Sequence, residues 1–207
     1  LSLAVSADGH HLYAASAINQ GKDQAMHQNS DPIGVLLKAV AFAADKHRTQ
    51  RRKDADASPY INHPIALANV LANEGGVTDV VVLSAAVLHA TIEDTNTTAE
   101  ELTTIFDAKI TATVQDVTDD KSLDKHDRKQ RQIEHAPHIS KEAKLVKLAD
   151  KICNLRDILA TPPTDWSPER KQGYFDWAAK VVAGVRGVHP ELEAVFDGLL
   201  ARHAELR

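Results

Sequence analysis

The sequence predicts an all-α fold, an irregular bundle of about nine helices joined by short loops. Three observations carry that prediction. Aromatic residues make up only 4% of the chain while alanine and leucine are abundant, a composition that favours helix over sheet. Blocks of β-branched and aromatic residues are few after residue 30, so strands have little to draw on. Helix start and stop signals recur along the chain, with Ser, Thr or Asp before an apolar run and glycine or proline beyond it.

Residues 1–30 stand apart as an N-terminal extension, and residues 31–207 form the helical domain. In the extension, apolar and polar residues alternate around Asp8-Gly9, which predicts a β-hairpin or a disordered stretch, and the polar run from Asn19 to Ser30 predicts a linker. Asp31 and Pro32 supply a helix cap and first residue, followed by the apolar stripe Val35, Leu36, Ala39, Val40, Phe42 and Ala43. A basic cluster follows, Lys46, His47, Arg48, Arg51, Arg52 and Lys53, dense enough to grip phosphates, although a solvated helix end reads the same way. Lys53 to Ser58 is a polar loop. Pro64 is predicted to open a helix that stops at Glu74-Gly75-Gly76, with His63 just before it.

Thr78 is the predicted cap of a helix running through an almost wholly apolar stretch into His89, Glu93 and Asp94. On one continuous helix, His89 and Glu93 share a face and Asp94 lies about 100° further round. Thr98 and Glu101 have capping-box spacing and start a short helix to Phe106. Helices from about Lys109 to Val117 and from about Asp124 to His135 flank the acidic stretch Thr118-Asp119-Asp120-Lys121, and Ala136-Pro137 breaks the second. Ser140 caps a long apolar helix that carries Asp150 and ends at Thr161-Pro162-Pro163. Ser167-Pro168-Glu169 opens the next, reaching about Arg186, and Pro190 begins the last.

Composition narrows the function classes. A net charge of −5 argues against general nucleic-acid binding. No apolar run is long enough to cross a bilayer, and the first residues lack the basic start and apolar core of a secretory signal. The single cysteine, Cys153, lies in an apolar helical run, as a core thiol in a reducing, cytoplasmic compartment would. Nothing in the pattern specifies a homo-oligomer.

A histidine followed closely by two carboxylates at the end of a buried helix suits a metal, yet alone it reads more readily as a hydrogen-bonded core residue. The neighbouring segments change that balance. His63, His89 and Asp150, each on its own helix, together with KHRTQRRKD, SPYINHP, LHATIEDT, VTDDKSL, KLVKLADKICNLRD and YFDWAAKVV, resemble the HD-domain metal phosphohydrolases. More narrowly, the chain resembles the small stand-alone hydrolases of the RelA/SpoT group, of the metazoan SpoT-homologue type. The resemblance spans roughly Val35 to Ala204 and implies the HD-type helical bundle.

It further implies one Mn²⁺ ion held by His63, His89 and Asp150, with Glu93 and Asp94 orienting or deprotonating the attacking water. Imidazole and carboxylate donors suit such an ion, which lowers the pKa of water. Arg52, Lys53 and Lys121 would face the pyrophosphate, and Asn154, Arg170 and Tyr174 would line the nucleotide pocket. The implied substrates are the guanosine tetra- and pentaphosphates ppGpp and pppGpp, losing their 3′-pyrophosphate, and NADPH, losing its 2′-phosphate. One position departs from the pattern: the His-Asp pair reads His89-Ala90, so a carboxylate ligand is replaced by methyl. Three readings follow: a hydrolase weakened by Ala90, a nucleotide-binding module without turnover, or an HD phosphohydrolase for another nucleotide.

Overall fold

The computed structural model describes residues 31–206. Among them are ten α-helices and no strand beyond an isolated bridge between Arg51 and Pro59. We label the helices α1 (Pro32–Lys46), α2 (Asn62–Asn69), α3 (Val80–Leu88), α4 (Thr91–Asp94), α5 (Ala99–Ile105), α6 (Ala108–Val117), α7 (Lys125–His135), α8 (Lys141–Ala160), α9 (Pro168–Ala183) and α10 (Pro190–Leu200). The predicted hairpin and linker of the extension lie outside the described residues. No helix among the described residues is long and apolar enough to cross a membrane.

The centre is α3, VVVLSAAVL, in which every residue from Val82 to Leu88 is buried. A helix apolar on all sides has to be covered on all sides. Four helices do so: α1, α2, α6 and α8 all pack against it. The 20-residue α8 is the second organiser, touching α2, α6, α9 and α10 as well. Its core face is not purely apolar, because Lys147 and Lys151 are buried beside leucines and Ile152.

Several helix starts follow the predicted chemistry. Side chains of Asp31, Thr98, Ser140 and Ser167 accept from backbone amides two or three residues on, at 3.1–3.3 Å. Each removes an amide that would otherwise lack a partner. Two starts differ from expectation. Asp79, not Thr78, caps α3, accepting from Val81 N at 2.8 Å. The second helix begins at Asn62, so His63 sits inside its first turn. The turn Pro59–Tyr60 nucleates it early through Asn62 N to Pro59 O and His63 N to Tyr60 O. Pro64 is tolerated there because a first-turn amide has no intrahelical acceptor.

The largest correction concerns His89. It and Glu93 do not share one continuous helix: α3 ends at Leu88 and α4 starts at Thr91, which makes ten helices rather than nine. Side chains explain the break. His89 Nδ1 donates to Ala86 O at 2.8 Å and Thr91 Oγ1 to Leu88 O at 2.7 Å, drawing on carbonyls of the last turn of α3. Ala90 adopts φ −100° and ψ 0° and turns the chain.

The second helix ends in a π-helical turn, Val70–Glu74, closed by two glycines with different tasks. Gly76 has φ +63°, which L side chains rarely adopt. At Gly75 a Cβ would stand 2.8 Å from Leu192 Cδ1 and 2.9 Å from Leu71 O, so α10 and the turn meet only because nothing is there. Gly75→Ala is therefore expected to destabilise the fold by about 1–3 kcal/mol through overpacking, read as a lower midpoint in urea denaturation with an unchanged slope.

Candidate functional site

A cleft of about 430 Å³ opens between α2, α3, α4, α8 and the loop before α9. At its floor are His63 from α2, His89 from the end of α3 and Asp150 from α8. Each offers one ligand atom, and the three atoms lie within 4.8 Å of one another. His63 Nε2 lies 3.2 Å from Asp150 Oδ1, and the two imidazoles stand 5.5 Å apart, edge to face.

The electrostatics of the three are set by their surroundings. Burial pushes the His89 imidazole down to about 4, with His63 acting in the same direction. Because Nδ1 donates to Ala86 O, Nε2 keeps its lone pair. A neutral imidazole so oriented is a competent metal ligand. Burial works against charge on Asp150, but the Lys151 ammonium, 2.8 Å from Oδ2, and His63 hold its carboxyl well below the usual carboxylate range. Asn154 Nδ2 donates to Asp150 Oδ1 at 2.8 Å. Two imidazole nitrogens and one carboxylate oxygen, one buried and two half-buried, fit a borderline divalent cation. Ala90 is 4% exposed and presents its methyl to the cleft, so the donor set is one carboxylate short of a His-Asp pair.

Beside the floor lie the two acids of α4. Burial pushes the Glu93 carboxyl up to about 7, and Asp119 and Asp94 add repulsion. Asp119 N donates to Glu93 Oε2 at 3.2 Å. Asp94 accepts from Tyr60 Oη at 3.2 Å and pairs with Lys121.

The other predicted residues divide. Arg52, Lys53, Asn154 and Tyr174 line the cleft. Arg52 is already engaged, donating to Asp157 at 2.6 Å. Lys121 and Arg170 are not in the lining; Lys121 pairs with Asp94, and Arg170 stacks over Trp166 at 4.5 Å and reaches Asp165. The basic cluster separates in the same way. Lys46 pairs with Glu101 at 2.8 Å, Arg48 with Asp45, and His47 is buried, so only Arg51, Arg52 and Lys53 face the cleft. Cys153 is a core thiol, pushed up to about 12 by burial, and stays protonated at neutral pH.

Sequence reasoning missed Tyr60, Asp119, Gln132, Lys147, Lys151, Asp157 and Trp166, all in the lining. A signal for two of them was present. Lys147, Asp150, Lys151 and Asn154 follow i, i+3, i+4, i+7 spacing, so both lysines share the face of the acid.

The comparisons with known proteins identify the family. The HD-domain family model matches residues 39–176. A zebrafish (Danio rerio) protein named guanosine-3′,5′-bis(diphosphate) 3′-pyrophosphohydrolase MESH1 is 55% identical over 165 residues, covering 80% of this chain and 92% of its own. The human protein of the same name is 56% identical over 164 residues, covering 79% and 92%. A solved structure of a metazoan ortholog of SpoT, described as hydrolysing ppGpp and playing a role in starvation responses, superimposes with a TM-score of 0.80 at 44% identity. It covers 84% of this chain and 98% of that one. With its three-donor floor, its acidic turn and these relatives, the chain belongs to the HD-domain family and, within it, to the metazoan SpoT-homologue group.

Proposed function

We propose that the chain is a metal-dependent guanosine-3′,5′-bis(diphosphate) 3′-pyrophosphohydrolase, with pppGpp and, at its 2′-phosphate, NADPH as further substrates, acting in the cytoplasm. The observation that carries this reading is the convergence of His63, His89 and Asp150 within 4.8 Å at the floor of a cleft walled by Arg52, Lys53, Asn154 and Tyr174. His63, His89 and Asp150 would hold one divalent cation, Mn²⁺ in our reading. Such a cation, when bound, lowers the pKa of water and polarises a phosphoryl oxygen.

The chain's own residues do the rest. Arg51, Arg52 and Lys53 line one wall and offer positive charge to a pyrophosphate, where fixed cations favour the developing charge of phosphoryl transfer. Tyr174 and Asn154 confine the nucleoside on the α8–α9 side. Glu93 takes a proton from the attacking water, and its carboxyl, held near neutrality by burial, is matched to that task. Water attacks the phosphorus attached to the ribose 3′-oxygen, that P–O bond breaks to release pyrophosphate, and the ribose oxygen takes up a proton from solvent while Glu93 returns its own to solvent. Asp94, tied by Tyr60 and Lys121, orients the water.

Ala90 supports a second reading, a nucleotide-binding protein with little turnover, because its methyl stands where the pattern requires an oxygen ligand. Metal content by elemental analysis and a pyrophosphate-release assay with Mn²⁺ on the unaltered chain separate the two, and the role of the position itself is tested by Ala90→Asp. This substitution is expected to raise Mn²⁺ affinity in titration calorimetry and pyrophosphate release from ppGpp at least about tenfold. No change in either would mean that the site is organised differently from that of the family.

The pH dependence follows from Glu93. A base must be unprotonated, and burial raises this carboxyl to about 7 in the free chain, so kcat/KM should climb as pH rises through the near-neutral range. Glu93→Gln should abolish the limb, and a profile already flat at about pH 6 would remove Glu93 from the role of base.

A further inference from the structure

Within the first motif of the chain, KHRTQRRKD, His47 and Gln50 lie outside the cleft yet connect to the acidic turn. His47 is 1% exposed, at the end of α1, where its ring packs 4.8 Å from that of Tyr60. Its Nδ1 lies 2.7 Å from Gln50 Oε1, and Gln50 Nε2 donates to the backbone carbonyl of Asp94 at 2.6 Å. The carbonyl of Asp94 needs a donor, so the Gln50 amide has one orientation: nitrogen toward Asp94, oxygen toward His47. His47 Nδ1 therefore donates. Its other nitrogen, Nε2, is buried with no partner among the described residues. An apolar ring of similar size would fill the space without leaving that acceptor unsatisfied. What the imidazole adds over such a ring is the hydrogen bond to Gln50.

Helix α4 depends on such ties. A four-residue helix has no stability of its own and ends in carbonyls that lack intrahelical donors. Its side chains are held by Tyr60 Oη at 3.2 Å and Lys121, which meet the carboxylate of Asp94, and by Asp119 N, which meets that of Glu93. Gln50 holds the main chain of Asp94. His47 touches two of these, by hydrogen bond to Gln50 and by ring contact with Tyr60. The loop that carries them is itself clamped, through Gln50 N to His47 O at 2.9 Å and Tyr60 N to Gln50 O at 3.1 Å.

We propose that Gln50, oriented by buried His47, is a positioning residue that anchors the one-turn helix carrying Glu93 and Asp94, and so fixes the acidic pair against the floor of the cleft. The role deepens the hydrolase reading and rests on it for its effect on turnover. The anchoring itself is independent of any activity.

Two variants test it, His47→Phe, which keeps a packed ring, and Gln50→Met, which keeps the length of the side chain. In the chain with Ala90 unchanged, amide hydrogen exchange at Asp94 and Thr95, whose amides close the turn onto Ala90 O and Thr91 O, should quicken about fivefold or more in both variants. The thermal midpoint of His47→Phe should not fall. In the Ala90→Asp protein assayed with Mn²⁺ and ppGpp, both should lower kcat about tenfold, with KM within about twofold. Unchanged exchange at the two amides would overturn the proposal, as would a loss of kcat matched by a general loss of stability. If the Ala90→Asp protein releases no pyrophosphate, the hydrolase reading fails, while the exchange rates still decide whether Gln50 anchors the turn.

Discussion

A carboxylate in the core has to be matched by cations and donors from elsewhere, and Asp150 is where this fold meets that demand. Lys151, Asn154 and His63 all approach it within 3.2 Å. Each is itself buried or nearly so, which raises the cost of losing any one, because an ion stripped of its partner in a low-dielectric interior is far less stable than a pair. The same side of α8 brings Asp157 to Arg52, tying the loop after α1 to the long helix at 2.6 Å. Chain segments about a hundred residues apart are thereby fixed relative to one another by charge, over a core whose apolar packing alone would tolerate sliding.

That constraint explains why α8 reads ambiguously as sequence. Leu145, Leu148, Ile152 and Leu155 mark it as a core helix, and they are buried as the pattern requires. Lys147 and Lys151 would by default be assigned to a solvated face, since lysine is almost never fully buried unless paired. Pairing is a tertiary property. The spacing to Asp150 was legible, whereas the direction in which that face points depends on α3 and α9, which sequence periodicity does not place. Lys147 is the sharper case: burial pushes its ammonium down, and its Nζ donates to Val117 O at 3.0 Å.

The elements themselves were largely legible because their caps act locally. Asp31, Thr98, Ser140 and Ser167 accept from amides within three residues, so the signal and the structure lie in the same short window. The break after α3 was not legible, although it also arises within a few residues. His89 and Thr91 compete for carbonyls of the helix they follow, and whether they do so depends on what else the histidine must face. The basic cluster failed for the opposite reason: charge density says nothing about which lysines already have a carboxylate, and Lys46 had Glu101 waiting from a distant helix. Of the candidate site, the three floor residues and the acidic pair came from motif and spacing, and Tyr60, Trp166 and Asp157 came only with the fold.

In the proposed reading, Ala90 would act on a bound cation through charge as well as through ligand count. With an aspartate at that position, a bound divalent cation would meet two carboxylates and the Lys151 ammonium. With alanine it meets one carboxylate and the same ammonium, so the cluster carries an additional unit of positive charge. Two unit charges about 4 Å apart near a protein surface attract by about 4 kcal/mol before the desolvation of either is subtracted, so the tenfold scale for groups that only orient a ligand would be a floor for the effect of this position. Lys151 sharpens the contrast: it stabilises Asp150 as the structure stands and would oppose an arriving cation. A full carboxylate set would offset that opposition, and a set with alanine would not.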